Sequence, residues 1–123
     1  MRRIKITAGK VETSAQLNDG PTANAIWNAL PLSARGARWG KEIYFSIPVK
    51  VKDHDTHEVV EKGDLGYWEP GNAFCIFWGP TPASRGAEIR PASPVSVFGK
   101  IEGDAAVFDA VTSGTPVKIE KIK

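Results

Sequence analysis

The chain has 123 residues, and we expect residues 1–123 to form one domain. Sixteen Lys and Arg residues against 14 Asp and Glu residues leave a formal net charge of +2, too small a surplus to indicate a surface for nucleic acid or anionic membranes. With 41% hydrophobic and 24% charged residues, the composition is typical of a globular protein and excludes a disordered or fibrous one.

The first thirty-one residues have the pattern of a β-hairpin followed by a helix. Residues 2–8 and 11–17 alternate polar and apolar side chains around Gly9, which predicts two antiparallel strands. Farther on, Pro21 suits a first helical turn, and four apolar side chains then lie on one helical stripe: Ala23, Ile26, Trp27 and Leu30. We predict a helix over residues 21–30 that ends before Pro31, with Trp27 in the core.

From residue 42 the apolar period changes to 2, which is typical of strands. Residues 42–47 alternate, and the pattern predicts a drier face at Ile43 and Phe45 and a wetter face at Glu42 and Tyr44. A polar loop at residues 53–58 follows, with a return strand beginning near residue 59. The next strands are predicted at these positions: residues 65–68 and 73–78, joined by a turn, then residues 95–101 and 117–122.

Residues 105–111 form a second short amphipathic segment, and Asp104 is placed to cap it as a helix. Many short strands with two short helices predict a mainly β fold, a closed or nearly closed β-barrel with the helices over its ends. Closure is expected because it removes exposed strand edges.

Residues 79–94 form a long connection that contains four prolines and two glycines. Prolines reduce the entropy lost on ordering, so we expect this proline-rich loop to be ordered. Two interpretations remain open: the loop simply crosses the barrel, or it forms one wall of a groove in which Thr81, Ser84 and Arg90 offer polar contacts.

Three segments together resemble a known family: residues 39–49 (WGKEIYFSIPV), residues 63–82 (GDLGYWEPGNAFCIFWGPTP) and residues 89–95 (IRPASPV). They resemble an uncharacterised prokaryotic family with a cyclophilin-like fold, an atypical branch of the peptidyl-prolyl isomerase fold. The resemblance implies a closed eight-stranded barrel with two short helices covering its ends. It implies no activity, because members of that family are named for their fold.

True cyclophilins carry their arginine directly after Phe-His, and no Phe-His-Arg occurs in this chain. The one glutamine, Gln16, lies in a predicted strand of the N-terminal hairpin. The isomerase constellation is therefore absent from the sequence, and we name no catalytic residue. The arginines that could still serve as substitutes are Arg35, Arg38, Arg85 and Arg90.

Other chemistry has weaker support in the sequence. His54 and His57 lie among carboxylates, but a polar loop lacks the partners that fix metal ligands, so we expect a solvated turn and no metal or cofactor. Cys75, the single cysteine, excludes an intramolecular disulfide and is predicted to be a buried, inert thiol. Because the first twenty residues hold no apolar signal core, we expect a cytoplasmic protein.

Aromatic side chains beside polar residues favour a groove that holds a ligand. We predict that the ligand is a small molecule or a proline-containing peptide. Two alternatives stay open: a divergent peptidyl-prolyl isomerase, and a structural subunit that uses the aromatic rim as an interface. We expect no nucleic-acid or membrane partner, and a monomer or weak homo-oligomer. The predicted ligand-binding residues are Trp39, Glu42, Tyr44, Tyr67, Trp68, Phe77, Thr81 and Arg90.

Overall fold

A computed structural model describes residues 2–123 of the chain. It begins with the predicted hairpin of β1 (Arg3–Ala8) and β2 (Val11–Leu17). The predicted helix is confirmed as α1 (Pro21–Ala29), with Gly20 as its N-cap residue. Within residues 2–123, no helix has both the length and the apolar character required to span a membrane.

The prediction that Trp27 lies in the core is wrong. Its side chain is half-buried rather than enclosed in the core. Arg2 and Lys121 lie over its ring at 5.7 and 4.9 Å from the centroid. The helical stripe therefore reaches the surface at Trp27, while Ala23 and Ile26 are fully enclosed.

The rest of the chain consists mainly of short strands. In chain order they are β3 (Leu32–Arg35), β4 (Ala37–Arg38), β5 (Glu42–Ser46), β6 (Thr56–His57), β7 (Asp64–Trp68), β8 (Ala73–Phe77), β9 (Val95–Ile101) and β10 (Pro116–Ile122). A 3-10 turn at Glu69–Gly71 joins β7 to β8, as the sequence predicts. The second predicted helix is a 3-10 helix, Ala105–Ala110, where the Asp104 carboxylate accepts a hydrogen bond from the backbone N–H of Ala106.

The ten strands of residues 2–123 belong to one antiparallel sheet, in the order β3–β10–β1–β2–β9–β7–β8–β5–β4, with β6 pairing to β9. The mainly β fold with two short helices is confirmed, but the expected count of eight strands is wrong. The missed strands β3, β4 and β6 have four, two and two residues. Strands β4 and β6 are too short to display a period of 2, whereas β3 alternates over its four residues (LSAR), the shortest run that indicates a strand.

The sheet is not closed by hydrogen bonds, so the predicted closed barrel is corrected as well. The two ends of the strand order are β3 and β4, which follow each other along the chain and meet at Gly36. A strand cannot form a ladder with its own continuation, and each end therefore pairs on one side only. β3 pairs with β10, and β4 pairs with β5.

The sheet separates two hydrophobic cores. The main core lies on its inner face, where the Phe74 ring is 5.1 Å from Phe45 and 5.0 Å from Phe98; Ile26 of α1 and Phe108 of the 3-10 helix join it. A smaller core lies on the outer face of β5, β8, β7 and β9. It consists of Val60, Ala73, Cys75, Phe77, Ile89 and Val95.

Candidate ligand-binding pocket on the outer face of the sheet

A cavity of about 120 Å³ lies between the outer face of the sheet and the proline-rich loop. We call it the outer pocket. Its walls are apolar and aromatic, with one carboxyl group among them. The lining residues are Trp39, Glu42, Tyr44, Trp68, Cys75, Pro91, Ala92 and Val95.

The register of β5 and β8 builds one wall of the outer pocket. Tyr44 is paired with Cys75, and Glu42 is paired with Phe77. Side chains at alternate positions share a face of a sheet, so these four residues point to the same side. The polar-looking face of β5 therefore faces a buried layer rather than water.

Gly66 on β7 lies next to Cys75 in the sheet and lets the chain that follows the loop pack closely. A Cβ atom at Gly66 would lie 2.7 Å from Cγ2 of Val95 and 3.1 Å from Cε2 of Phe77. The missing side chain makes room for Val95, which is fully buried and lines the pocket.

The opposite wall comes from the proline-rich loop, which is ordered by its own side chains. The Thr81 hydroxyl donates to the carbonyl of Arg90, and Ser84 Oγ accepts from the backbone N–H groups of Thr81 and Arg90 at 3.0 and 3.2 Å. Two parts of the loop that are nine residues apart are thereby held together. Thr81 and Arg90 serve this loop geometry and do not line the outer pocket.

Glu88 fastens the tip of the same loop. Its carboxylate accepts from the backbone N–H groups of Arg85 and Gly86 at 3.0 and 2.8 Å, and from Nε of Arg90 at 3.2 Å. The hydrogen bond from Arg85, with those from Gly86 and Arg90, lowers the pKa of Glu88 to about 2. The tip of the loop is thus closed by an ionised carboxylate at neutral pH.

Two hydrogen bonds connect this loop to other segments of the same chain, one to Trp68 on β7 and one to Val60. The indole Nε1 of Trp68 donates to Ser93 Oγ at 2.6 Å, and the backbone N–H of Val60 donates to the carbonyl of Ile89 at 2.9 Å. Val60 makes just this isolated bridge, so the strand predicted to begin near residue 59 is not formed. The loop is held over the pocket from both sides.

Trp39 reaches the pocket from the turn between β4 and β5. This turn contains Gly40 at φ +63°, where a Cβ atom would lie 2.8 Å from Cδ of Pro82 and 2.9 Å from Cα of Thr81. The backbone N–H of Lys41 donates to the carbonyl of Pro80 at 3.0 Å. Gly40 therefore allows the turn and the start of the loop to lie in direct contact.

Glu42 is the unusual group of the outer pocket. Its side chain is buried, with 5% of the residue exposed, and its Oε1 atom has no hydrogen-bond partner among the described residues. Burial raises the pKa of Glu42 from 4.5 to about 7, opposed in part by a hydrogen bond to Cys75. Burial and the neighbouring Glu42 carboxyl raise the pKa of the Cys75 thiol. The thiol is therefore uncharged at physiological pH.

Four of the eight residues predicted to bind a ligand are brought together in the outer pocket: Trp39, Glu42, Tyr44 and Trp68. Tyr67 faces the main core, where its hydroxyl donates to the carbonyl of Val49 and lies 3.0 Å from Asn72 Oδ1. Phe77 is fully buried in the smaller core and does not line the cavity.

Sequence reasoning missed Pro91, Ala92 and Val95 as pocket residues, and it placed Cys75 in the core without relating it to a cavity. Loop residues have no periodicity that reveals which side they face. One signal was available for Cys75. Residues 73–78 are apolar on both faces, which indicates that a second layer covers the face on which Cys75 lies. Among residues 2–123, no group of His, Cys, Asp and Glu side chains is arranged to hold a metal ion.

The four candidate arginines lie outside the pocket walls. Arg38 donates to the carbonyls of Asp109 and Val111 and lies 5.3 Å from the Trp78 ring centroid. Arg35 donates to the carbonyl of Gly114, and Arg90 pairs with Glu88. Within the described chain, the outer pocket has no guanidinium group on its walls.

Comparison with known proteins confirms the resemblance seen in the sequence. Residues 2–120 match the model of a family described as cyclophilin-like. The solution structure of the hypothetical protein AF2241 from Archaeoglobus fulgidus is similar, with a TM-score of 0.83 at 38% sequence identity, covering 98% of this chain and 95% of that chain. A search of the curated proteins found no match.

Proposed function

Because the chain belongs to the cyclophilin-like family, and a shared fold does not specify an activity, we propose a function from the site itself. The protein is a binding protein that holds a ring-sized small molecule, or one side chain of an extended peptide, in the outer pocket. The observation that supports this most is the buried Glu42 carboxyl, whose Oε1 has no donor in the described protein.

A buried carboxyl oxygen without a hydrogen-bond partner is costly for folding. Burying a polar group without a hydrogen bond costs roughly 1–3 kcal/mol in proteins, and more for a charged one. A hydrophobic side chain at position 42 would complete the smaller core without that cost. A ligand that supplies the missing donor gives the carboxyl a role.

The size of the cavity limits what can enter it. Its volume of about 120 Å³ is somewhat less than that of a cavity of roughly 150 Å³ that binds benzene in another protein. The pocket therefore suits a group of five or six ring atoms. A proline ring is of this size, so a proline-containing peptide remains within the proposal.

The chain contains its own reporters for a binding test. Trp39 and Trp68 line the outer pocket, whereas Trp27 and Trp78 do not. We expect a library of ring-sized fragments, including neutral, cationic and anionic members and proline dipeptides, to contain ligands that saturably shift the NMR signals of the Trp39 and Trp68 indoles. The Trp27 and Trp78 indoles should stay unchanged. A library without any such ligand contradicts the proposed function.

A divergent peptidyl-prolyl isomerase is a less well supported alternative, because the pocket walls described above carry no arginine that could stabilise a twisted prolyl amide. A refolding reaction limited by proline isomerisation separates the two functions. We expect micromolar protein to leave the slow phase unchanged. Acceleration of that phase, lost on substituting one of the arginines by alanine, would favour the isomerase instead.

A further inference from the structure

The walls of the outer pocket contain a negative group and no positive one, because Arg90, next to Pro91, pairs with Glu88. Glu42 is the one lining residue that can carry a charge at neutral pH, since the thiol of Cys75 is held neutral by its raised pKa. Lys41 is adjacent in the chain, but its Nζ lies 2.8 Å from Asp109 Oδ1, where it forms an ion pair. Among the described residues, no cation of the protein lines the pocket with Glu42.

Three aromatic side chains surround the same space. Trp39, Tyr44 and Trp68 are each half-buried, so one part of every ring is available to the cavity. The hydrogen bond from Trp68 to Ser93 fixes one of these rings in position. Aromatic faces attract cations within about 6 Å of the ring centroid, and the attraction increases where water is excluded.

From this arrangement, and resting on the binding function proposed above, we propose that the ligand of the outer pocket is an organic cation. Its ammonium group donates hydrogen bonds to the Glu42 carboxylate, and its carbon skeleton packs against Trp39, Tyr44 and Trp68. The unpartnered oxygen, the missing protein cation and the aromatic walls all favour this class over neutral or anionic rings. Anions would meet the carboxylate without any compensating positive charge.

The apolar lining residues determine the kind of cation. Val95 on the sheet forms the floor of the outer pocket, and Pro91 and Ala92 in the loop form its lid. Val95 and Pro91 are buried and offer only hydrocarbon, so a strongly hydrated metal ion would lose its water shell without gaining further oxygen ligands. A secondary or primary amine on a five- or six-membered ring keeps its charge at Glu42 and places its carbons against these residues. The ligand class is therefore a small cyclic or arylalkyl amine, free or at the end of a larger molecule.

Pyrrolidine and tetrahydrofuran form a matched pair for the test, because both are five-membered rings and pyrrolidine alone is a cation near neutral pH. NMR titrations at about pH 8 follow the Trp39 and Trp68 indoles, with Trp27 and Trp78 as internal references. We expect saturable binding of pyrrolidine to be about tenfold tighter, or more, than that of tetrahydrofuran, as for a hydrogen bond to a charged group.

Two variants assign this preference to the carboxylate. Glu42→Gln keeps the shape of the side chain and should weaken pyrrolidine binding about tenfold without weakening the binding of tetrahydrofuran. Glu12→Gln removes the same charge from an exposed site and should change neither affinity. If Glu42→Gln does not fold, the wild-type protein still provides the test: pyrrolidine stays protonated while its affinity falls as the pH is lowered through about 7, where Glu42 gains a proton.

Equal binding of the two rings to the wild-type protein overturns the cation inference and leaves the proposed binding function standing. So does an unchanged pyrrolidine affinity in Glu42→Gln, or a flat pH profile in the wild-type protein. Failure of pyrrolidine to shift either pocket indole also overturns the inference. In that case the fragment library, which contains neutral and anionic rings, decides the proposed function separately.

Discussion

The indole Nε1 of Trp68 donates a 2.6 Å hydrogen bond to Ser93 Oγ, joining the last residue of β7 to the proline-rich loop. Trp68 forms a wall of the outer pocket, and Ala92, which precedes Ser93 in the loop, lines it from the opposite side. The position of the lid therefore depends on a side-chain contact between segments that are 25 residues apart.

Ser93→Ala should destabilise the protein and loosen this lid. The indole N–H loses its acceptor, and we expect the free energy of unfolding to fall by about 1 kcal/mol, measured by urea denaturation. Ser33→Ala is the control, because Ser33 is exposed on β3. Equal stability of the two variants would show that the bond to Trp68 contributes nothing.

Glu42→Gln should gain stability relative to the wild-type protein as the pH rises. The carboxyl has a pKa of about 7 in the folded protein against an ordinary 4.5. The folded state therefore binds the proton more tightly than the unfolded chain, and its stability falls as the pH rises from 4.5 through 7. The full difference is on the order of 3 kcal/mol.

Urea denaturation of wild-type protein and Glu42→Gln between pH 5 and 9 measures this effect. The free energy of unfolding of Glu42→Gln minus that of the wild type should increase with pH and level off above about 7. Glu12→Gln, which makes the same substitution at an exposed site, is the control. A constant difference for Glu42→Gln would contradict the buried state of this carboxyl.

Gly66→Ala should destabilise the smaller core. The added methyl group would lie 2.7 Å from Cγ2 of Val95, so the residues over the outer face must shift. Overpacking of this kind costs about 1–3 kcal/mol, to be measured as a loss in thermal or urea stability. Gly86→Ala is matched to it, because its new methyl group would lie 3.7 Å from the nearest atom, Oε1 of Glu88, and should be tolerated.

Gly40→Ala should lose more stability than Gly103→Ala. Both glycines have positive φ, at +63° and +80°, so both substitutions incur a backbone cost of roughly 1–2 kcal/mol. At Gly40 the methyl group also collides with Pro82 and Thr81, whereas at Gly103 no atom beyond the adjacent residues of the described chain lies within 4 Å. Similar losses in the two variants would contradict close contact between the turn and the loop.

Strand alternation predicted the inner face of the sheet well. Ile43 and Phe45 were assigned to the drier side of β5, and both lie in the main core. The same alternation assigned Glu42 to a wetter side, yet Glu42 is buried. Period 2 separates two faces but does not reveal that a distant loop covers the second one.

The aromatic residues illustrate a similar limit. Trp68 and Tyr67 are adjacent in β7, so they must point to opposite faces, and a groove cannot contain both. Tyr67 belongs to the main core and Trp68 to the outer pocket. Only the register with β8 and β9 decides which of the two faces outward.

The amino-acid sequence by itself determined the family, the mainly β fold, α1 and the turn between β7 and β8, because alternation, helical stripes and turn residues act over a few neighbouring positions. The tertiary structure alone decided that the sheet of residues 2–123 has ten strands, with β3 and β4 each paired on one side only, and that a loop covers Glu42. That carboxyl is buried because β5, β8 and residues 91–95, which are far apart in the chain, meet around it. Sequence patterns over a few residues do not show which distant segments come together.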